Sequence, residues 1–189
     1  DGLARIGARV VVDCSGDGDL SAWAGAPWQG FAPGAPGAYS AGFTFRLVNV
    51  DLQRLEAYLE ARGMITQLAH AVKPGMSRPD LVRLGIDFAP LREQGVTDLP
   101  GYFLSSSVRP REITYCNCIN YGPNDGLDEL ALTEAEVYLR GQMFTIARAF
   151  RENLAGCEDC YPAGPAPAAG QRRARAIRCR YEISQSDCV

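Results

Sequence analysis

Leu139, Met143, Ile146, Ala147, Phe150 and Leu154 recur at the three- and four-residue spacing that puts side chains on one face of an α-helix. Thr133 followed by Glu136 has the form of a capping box, and Gly156 stands where such a helix would stop. The pattern predicts a helix of about five or six turns, with an apolar stripe that must be covered. Residues 43–48 alternate as a half-buried strand should, and Asp51 is placed to cap a helix carrying Leu52, Leu55, Tyr58 and Leu59. Residues 112–119 read as another strand, closed by the turn Gly122-Pro123-Asn124-Asp125-Gly126. These elements make a mixed α/β chain of the α+β kind.

Residues 8–13, rich in valine, read as a core strand, followed by the turn Cys14-Ser15-Gly16-Asp17-Gly18-Asp19 and a helix start at Leu20. Residues 25–42 are crowded with Gly, Pro and Ala and read as a long irregular connection anchored by Trp28, Phe31 and Tyr39. Between 64 and 110, five prolines divide the chain into short pieces. Within that stretch His70, the only histidine, falls on a helical face made by Met64, Ile65, Leu68, Ala69 and Val72. Residues 161–170 read as a loop, and Tyr181-Glu182-Ile183 as a strand-like step.

A net charge of −3 and a pI near 5.2 lack the basic footprint of a nucleic-acid binder. No run of about eighteen apolar residues is present, so no membrane span is expected. Seven cysteines are an odd number for a disulfide framework, which points to a reducing compartment, the cytoplasm. The abrupt opening on a core strand and the ending at Asp187-Cys188-Val189 suggest an interior piece of a longer polypeptide.

The turn after residue 13 approaches G-x-G-x-x-G, with Gly16 and Gly18 in place and Ser21 at the third position. The acidic residue expected about twenty positions later is missing, because no Asp or Glu lies between Asp19 and Asp51. Asp17 and Asp19 would repel a phosphate and suit the hydroxyls of a ribose or ribityl chain. Alternatively, Ser15 or Asp17 simply caps the helix. Cys116, Cys118, Cys157 and Cys160 could supply four thiolates to zinc, or could be buried apolar filler. His70 has no G-x-S-x-G elbow to work with. Arg172, Arg173, Arg175, Arg178 and Arg180 form either a solvated face, a surface for an acidic partner, or, at a loop-to-strand junction, a clamp for an anionic group.

The phrase from Val10 to Leu20, continuing into Ala24-Gly25-Ala26-Pro27, resembles the strand and turn of the bacterial FAD-dependent oxidoreductases, whose dinucleotide-binding motif lies well upstream. Further similarities follow in the family's order: Phe43-Thr44-Phe45-Arg46-Leu47, then Asn117, then Leu132-Thr133-Glu134-Ala135-Glu136 with Arg140. Gly170-Gln171-Arg172-Arg173-Ala174-Arg175-Ala176-Ile177, with Tyr181, Ile183, Ser184 and Asp187, completes the series. Arg173, Ala174 and Cys179 depart from the family's Glu, Ser and Gly.

The resemblance implies FAD as cofactor, a small-molecule substrate and an FAD-binding Rossmann-like domain incomplete at both ends. Residues 1–42 would belong to that domain, 43–160 to an inserted substrate-side α+β domain, and 161–189 to the return. Ser15, Gly16, Asp17, Gly18, Asp19, Gly170, Arg172 and Arg175 are the residues it places at the cofactor, with Arg172 and Arg175 open to substrate as well. It names no catalytic residue. Without the upstream G-x-G-x-x-G, the segment is expected to need the remainder of its polypeptide to hold FAD.

Overall fold

Alternation along Ala41–Val48 produces strand β2, counted after a short β1 at Trp28–Gly30. Ala41, Phe43, Phe45 and Leu47 are buried while the residues between them are half-buried. A computed structural model describes residues 6–188. Residues 1–5 and Val189, which fall in the spans 1–42 and 161–189 assigned above, lie outside the described residues. Strand β2 sits in a six-stranded sheet of order β3-β4-β5-β6-β2-β7, formed by Ile65–Val72, Pro79–Ile86, Phe103–Ser106, Glu112–Tyr121, β2 and Tyr161–Pro165. Every neighbouring pair in it is antiparallel. A separate antiparallel pair joins β1 to β8, Arg175–Ile177.

The helical stripe read from the sequence is the lid of this sheet. Helix α4, Glu129–Asn153, lies across β2, β6 and β7 and buries Leu139, Met143, Ile146, Ala147 and Phe150. Phe150 meets Phe103 of β5 and Phe88 with ring centroids 5.4 and 5.6 Å apart. Phe88 precedes the short helix α3, Ala89–Glu93, so the three rings tie one sheet strand, one loop and the helix into a single core. Helix α2, Leu52–Glu60, is capped as expected, with the Asp51 carboxylate accepting from the Arg54 backbone N–H at 3.1 Å. Gly156 has φ +89°, and a Cβ there would lie 2.5 Å from the Asp51 carbonyl oxygen. Only glycine lets the chain leaving α4 cross the start of α2 so closely.

Several expectations change. Helix α4 begins four residues before Thr133: Asp128 is the N-cap, accepting from Leu130 and Ala131 N–H groups, and the helix runs for 25 residues from Glu129. Thr133 instead bonds back to the Glu129 carbonyl at 2.8 Å, and Glu136 pairs with Arg140 at 3.0 Å. His70 lies on strand β3, not on a helix; its ring sits 2.9 Å from Glu56. An edge strand paired on one side only does not have to bury alternate residues, so its apolar spacing imitates a helix. Residues 8–13 form no strand, and Val10, Val11 and Val12 are 70–79% exposed, because among the described residues no neighbouring strand pairs with them. The loop expected at 161–170 opens with β7, and the step at 181–183 is not a strand but leads into a 3₁₀ turn at Gln185–Cys188.

The only lysine is buried. Lys73 Nζ donates to Asp80 Oδ2 and Ser107 Oγ at 3.0 Å and to the Arg109 carbonyl at 3.2 Å, fastening the β3–β4 loop to the β5–β6 connection. A buried ammonium that loses its carboxylate is left uncompensated. Asp80→Ala should therefore cost about 3–5 kcal/mol in urea unfolding. Adding Lys73→Met should restore most of that loss, whereas an unchanged loss in the double variant would show that the stranded charge is not its cause.

Candidate functional site

The glycine turn read from the sequence as suited to ribose or ribityl hydroxyls is organised by Asp13. Asp13 Oδ1 accepts from the Ser15 backbone N–H at 3.0 Å and its hydroxyl at 2.7 Å, and Oδ2 accepts both equivalents from Ser21 at 2.7 Å. Four donors on one carboxylate hold its pKa far below the usual carboxylate value. Ser15 Oγ in turn accepts from the Asp19 N–H at 2.8 Å, the capping role foreseen as the plainer alternative. Gly16 and Gly18 both take positive φ, at 88° and 66°. Helix α1, Asp19–Trp23, follows.

Strand β8 brings Arg175 against this turn across 156 positions, in an ion pair with Asp19. The Arg175 guanidinium lies 5.3 Å from the Trp28 ring, and its Nε is buried without a hydrogen-bond partner. A Cβ on Gly18 would come within 2.6 Å of the Ile177 side chain. Asp13, Cys14, Gly16, Gly18, Ser21, Arg175 and Ile177 thus line an open cleft of about 420 Å³. Of the residues proposed from sequence, Gly16, Gly18 and Arg175 meet there, and Asp19 joins them through its ion pair. Ser15 is engaged within the turn, and Asp17 does not line the cleft.

Gly170 and Arg172 lie elsewhere, at the outward face of the large sheet. Gly170 exchanges two backbone hydrogen bonds with Gly42, at 2.7 and 2.9 Å. Strand β6 carries an extra residue here: Phe43 faces Ile119, yet Thr44 faces Asn117, so Cys118 is a bulge. In a regular strand Asn117 and Asn120 would point to opposite faces. The bulge sends Cys118 and Ile119 both into the core and leaves both asparagines on the outward side, where the Tyr102 hydroxyl reaches their Oδ1 atoms at 3.2 and 3.4 Å. Two adjoining cavities of about 410 and 320 Å³ share Tyr102 and Asn120. Sequence reading had marked Asn117 but not Tyr102, Tyr115 or Asn120, and only the Asn-Cys-Ile-Asn interruption of an apolar strand hinted at them.

The zinc alternative is overturned. Among the described residues no group of three or more His, Cys, Asp or Glu is placed to hold a metal ion. Cys116, Cys118, Cys157 and Cys160 are buried in the core, where burial pushes the Cys116 and Cys118 thiols well up from their usual range. Nor do the arginines form one face: Arg173 lies 4.8 Å from the Tyr39 ring, Arg175 is paired with Asp19, and Arg178 and Arg180 are exposed.

The FAD dependent oxidoreductase family model matches residues 1–189. The chain belongs to this family. FAD is accordingly its cofactor and redox chemistry its function, and membership implies an FAD-binding Rossmann-like fold beside the antiparallel sheet. No curated protein and no solved structure matches the chain. Among the described residues no helix is long and apolar enough to cross a membrane. The cleft at Asp13 has features that fit part of the family's cofactor: an orphaned buried donor on Arg175, and open space beside the backbone of Gly16.

The depressed Asp13 carboxyl gives a pH expectation for this turn. A carboxylate whose folded pKa is lowered supports the turn at all pH values above the ordinary carboxylate range, and that support is lost only as pH falls through the folded value. Carboxyl carbon NMR should show Asp13 ionised down to pH about 3, with the Ser15 and Ser21 amide resonances unmoved. A midpoint near pH 4 would contradict the hydrogen bonding described.

Proposed function

We propose that the cleft between the 13–21 turn and β8 contacts FAD, and that the outward face of the large sheet receives a small-molecule substrate whose hydride or electron pair passes to the flavin. The observation that carries this reading is Arg175. It is delivered by the far end of the chain to the glycine turn, is fixed there by Asp19, and lines the cleft with its Nε–H buried and without a partner. When bound, the isoalloxazine ring supplies the redox chemistry. The chain supplies binding, orientation and field.

Within this reading Gly16, where a Cβ would meet nothing within 4 Å, permits close approach, Gly18 packs against Ile177, Asp19 holds Arg175, and Asp17, outside the cleft lining, is left for hydroxyls beyond it. Ser15 shapes the turn, Gly170 links the two regions, and Arg172 faces the sheet side. The spans 1–42 and 161–189 act as the FAD side and 43–160 as the substrate side, with β7 of the last span completing the large sheet against β2. Two contacts support that division: the β1–β8 pairing and the Asp19–Arg175 ion pair, each joining the first span to the last. All seven cysteines are free thiols, which suits the cytoplasm.

The test is the visible spectrum of the protein purified in its natural full length, before and after denaturation. Released flavin is the expected result, with Arg175→Leu and Gly18→Val each lowering the flavin-to-protein ratio while the thermal unfolding of the large-sheet core is unchanged. A colourless protein that cannot be reconstituted with FAD would overturn the proposal. Unaltered flavin content in both variants would move the cofactor away from this cleft.

A further inference from the structure

We infer that the cavity on the outward sheet face is a binding site for a carboxylate-bearing substrate, in which Arg172 holds the anion and Tyr102, Asn117 and Asn120 orient the remainder. The inference rests on the reading of that face as the substrate side. The cavity, about 320 Å³, is lined by one cation and by neutral hydrogen-bonding groups, among them Thr44, Tyr102, Tyr115, Asn117 and Asn120, and by no carboxylate. Arg172 makes no ion pair and no hydrogen bond among the described residues; its guanidinium only overlooks the Tyr39 ring at 5.9 Å. Its neighbour in sequence, Arg175, is by contrast paired with Asp19. A lone guanidinium in a recess without acids sets up a positive potential that one small anion can neutralise.

The neutral groups narrow the ligand further. Tyr102 is exposed at the rim, partial desolvation raises its pKa, and it remains a phenol whose single proton is shared toward two Oδ1 atoms. With both Oδ1 atoms accepting from that hydroxyl, the amide groups have N–H donors left for a ligand. A planar guanidinium matches a carboxylate in two parallel hydrogen bonds, and the amide donors and phenol suit oxygen atoms carried by the same molecule. A phosphate dianion would ask for a second cation, and Arg173, the nearest in sequence, does not line the cavity. The adjoining cavity of about 410 Å³ leaves room for a polar extension beyond Tyr102. Its only lining carboxylate, Asp98, is already paired with Arg148 at 3.0 Å.

The test titrates the FAD-loaded protein with benzoate and with its uncharged isostere benzamide, read by perturbation of the flavin spectrum and independently by calorimetry. Benzoate should bind saturably and at least about tenfold more tightly than benzamide. Arg172→Gln should abolish that preference while flavin content and thermal unfolding stay as in the parent, and Arg173→Gln should leave it intact. Equal binding of the two probes, or a preference that survives Arg172→Gln, would overturn the inference. Flavin content in the same samples reports separately on the cofactor reading: bound flavin without a benzoate preference sinks only the carboxylate site. A colourless protein that retains the preference by calorimetry sinks only the placement of FAD.

Discussion

Covering the inner face of the six-stranded sheet with α4 is the constraint on which the rest of the molecule depends. Phe88, Phe103 and Phe150 pack at centroid distances of 5.4–6.1 Å, and Leu139, Met143 and Ile146 continue the seam along β2 and β6. Apolar burial of this kind is non-directional, so it fixes which face is dry without dictating what the other face carries. The outward face is thereby free to hold tyrosine, asparagine and arginine at no cost to the core. One helix on one side of an antiparallel sheet is the arrangement in which such a division is natural.

Polar contacts then place what the core cannot. The Arg46–Glu112 pair, with contacts of 2.6 and 3.2 Å, joins β2 to β6 on the outward side. Lys73 seals the far hairpins, and Asp13 gathers a turn that has no apolar anchor of its own. The two candidate regions differ in how their charges are used. In the cleft at β8 the arginine is tethered by a carboxylate and its Nε is buried, whereas Arg172 at the sheet is exposed and makes no hydrogen bond among the described residues.

Elements with a strong period were legible in the sequence. Strand β2, helix α2 with its Asp51 cap, strand β6 and the buried stripe of α4 all appear where the spacing puts them, because each buries one face against a common core. The edges were not. Strand β3 is paired on one side and mostly exposed, so its apolar residues obey no strict alternation, and the valine run at 10–12 meets no partner within the described residues. The α4 start was misplaced because Asp128 and Thr133 are both competent caps, and it is the Asp128 carboxylate that takes the Leu130 and Ala131 N–H groups. Resemblance reached the family and the cofactor. The polar cluster at the sheet was out of reach, since Tyr102 comes from a loop and Asn120 owes its direction to a bulge that no side-chain pattern announces.

That bulge makes the parity of β6, and not only its composition, a property of the site. Replacing Cys118 exchanges one buried side chain for another. Deleting it removes the bulge yet leaves Asn117 and Asn120 two positions apart and on one face, whereas straightening the strand at constant length would turn Asn120 toward the phenylalanines and bring Tyr121 out in its place. What holds the outward surface together is therefore the backbone irregularity itself, which lets two asparagines three positions apart share a face. A related strand one residue shorter could thus present the same outward pair from a regular ladder, and a gap set opposite Cys118 would equate residues that face the same side.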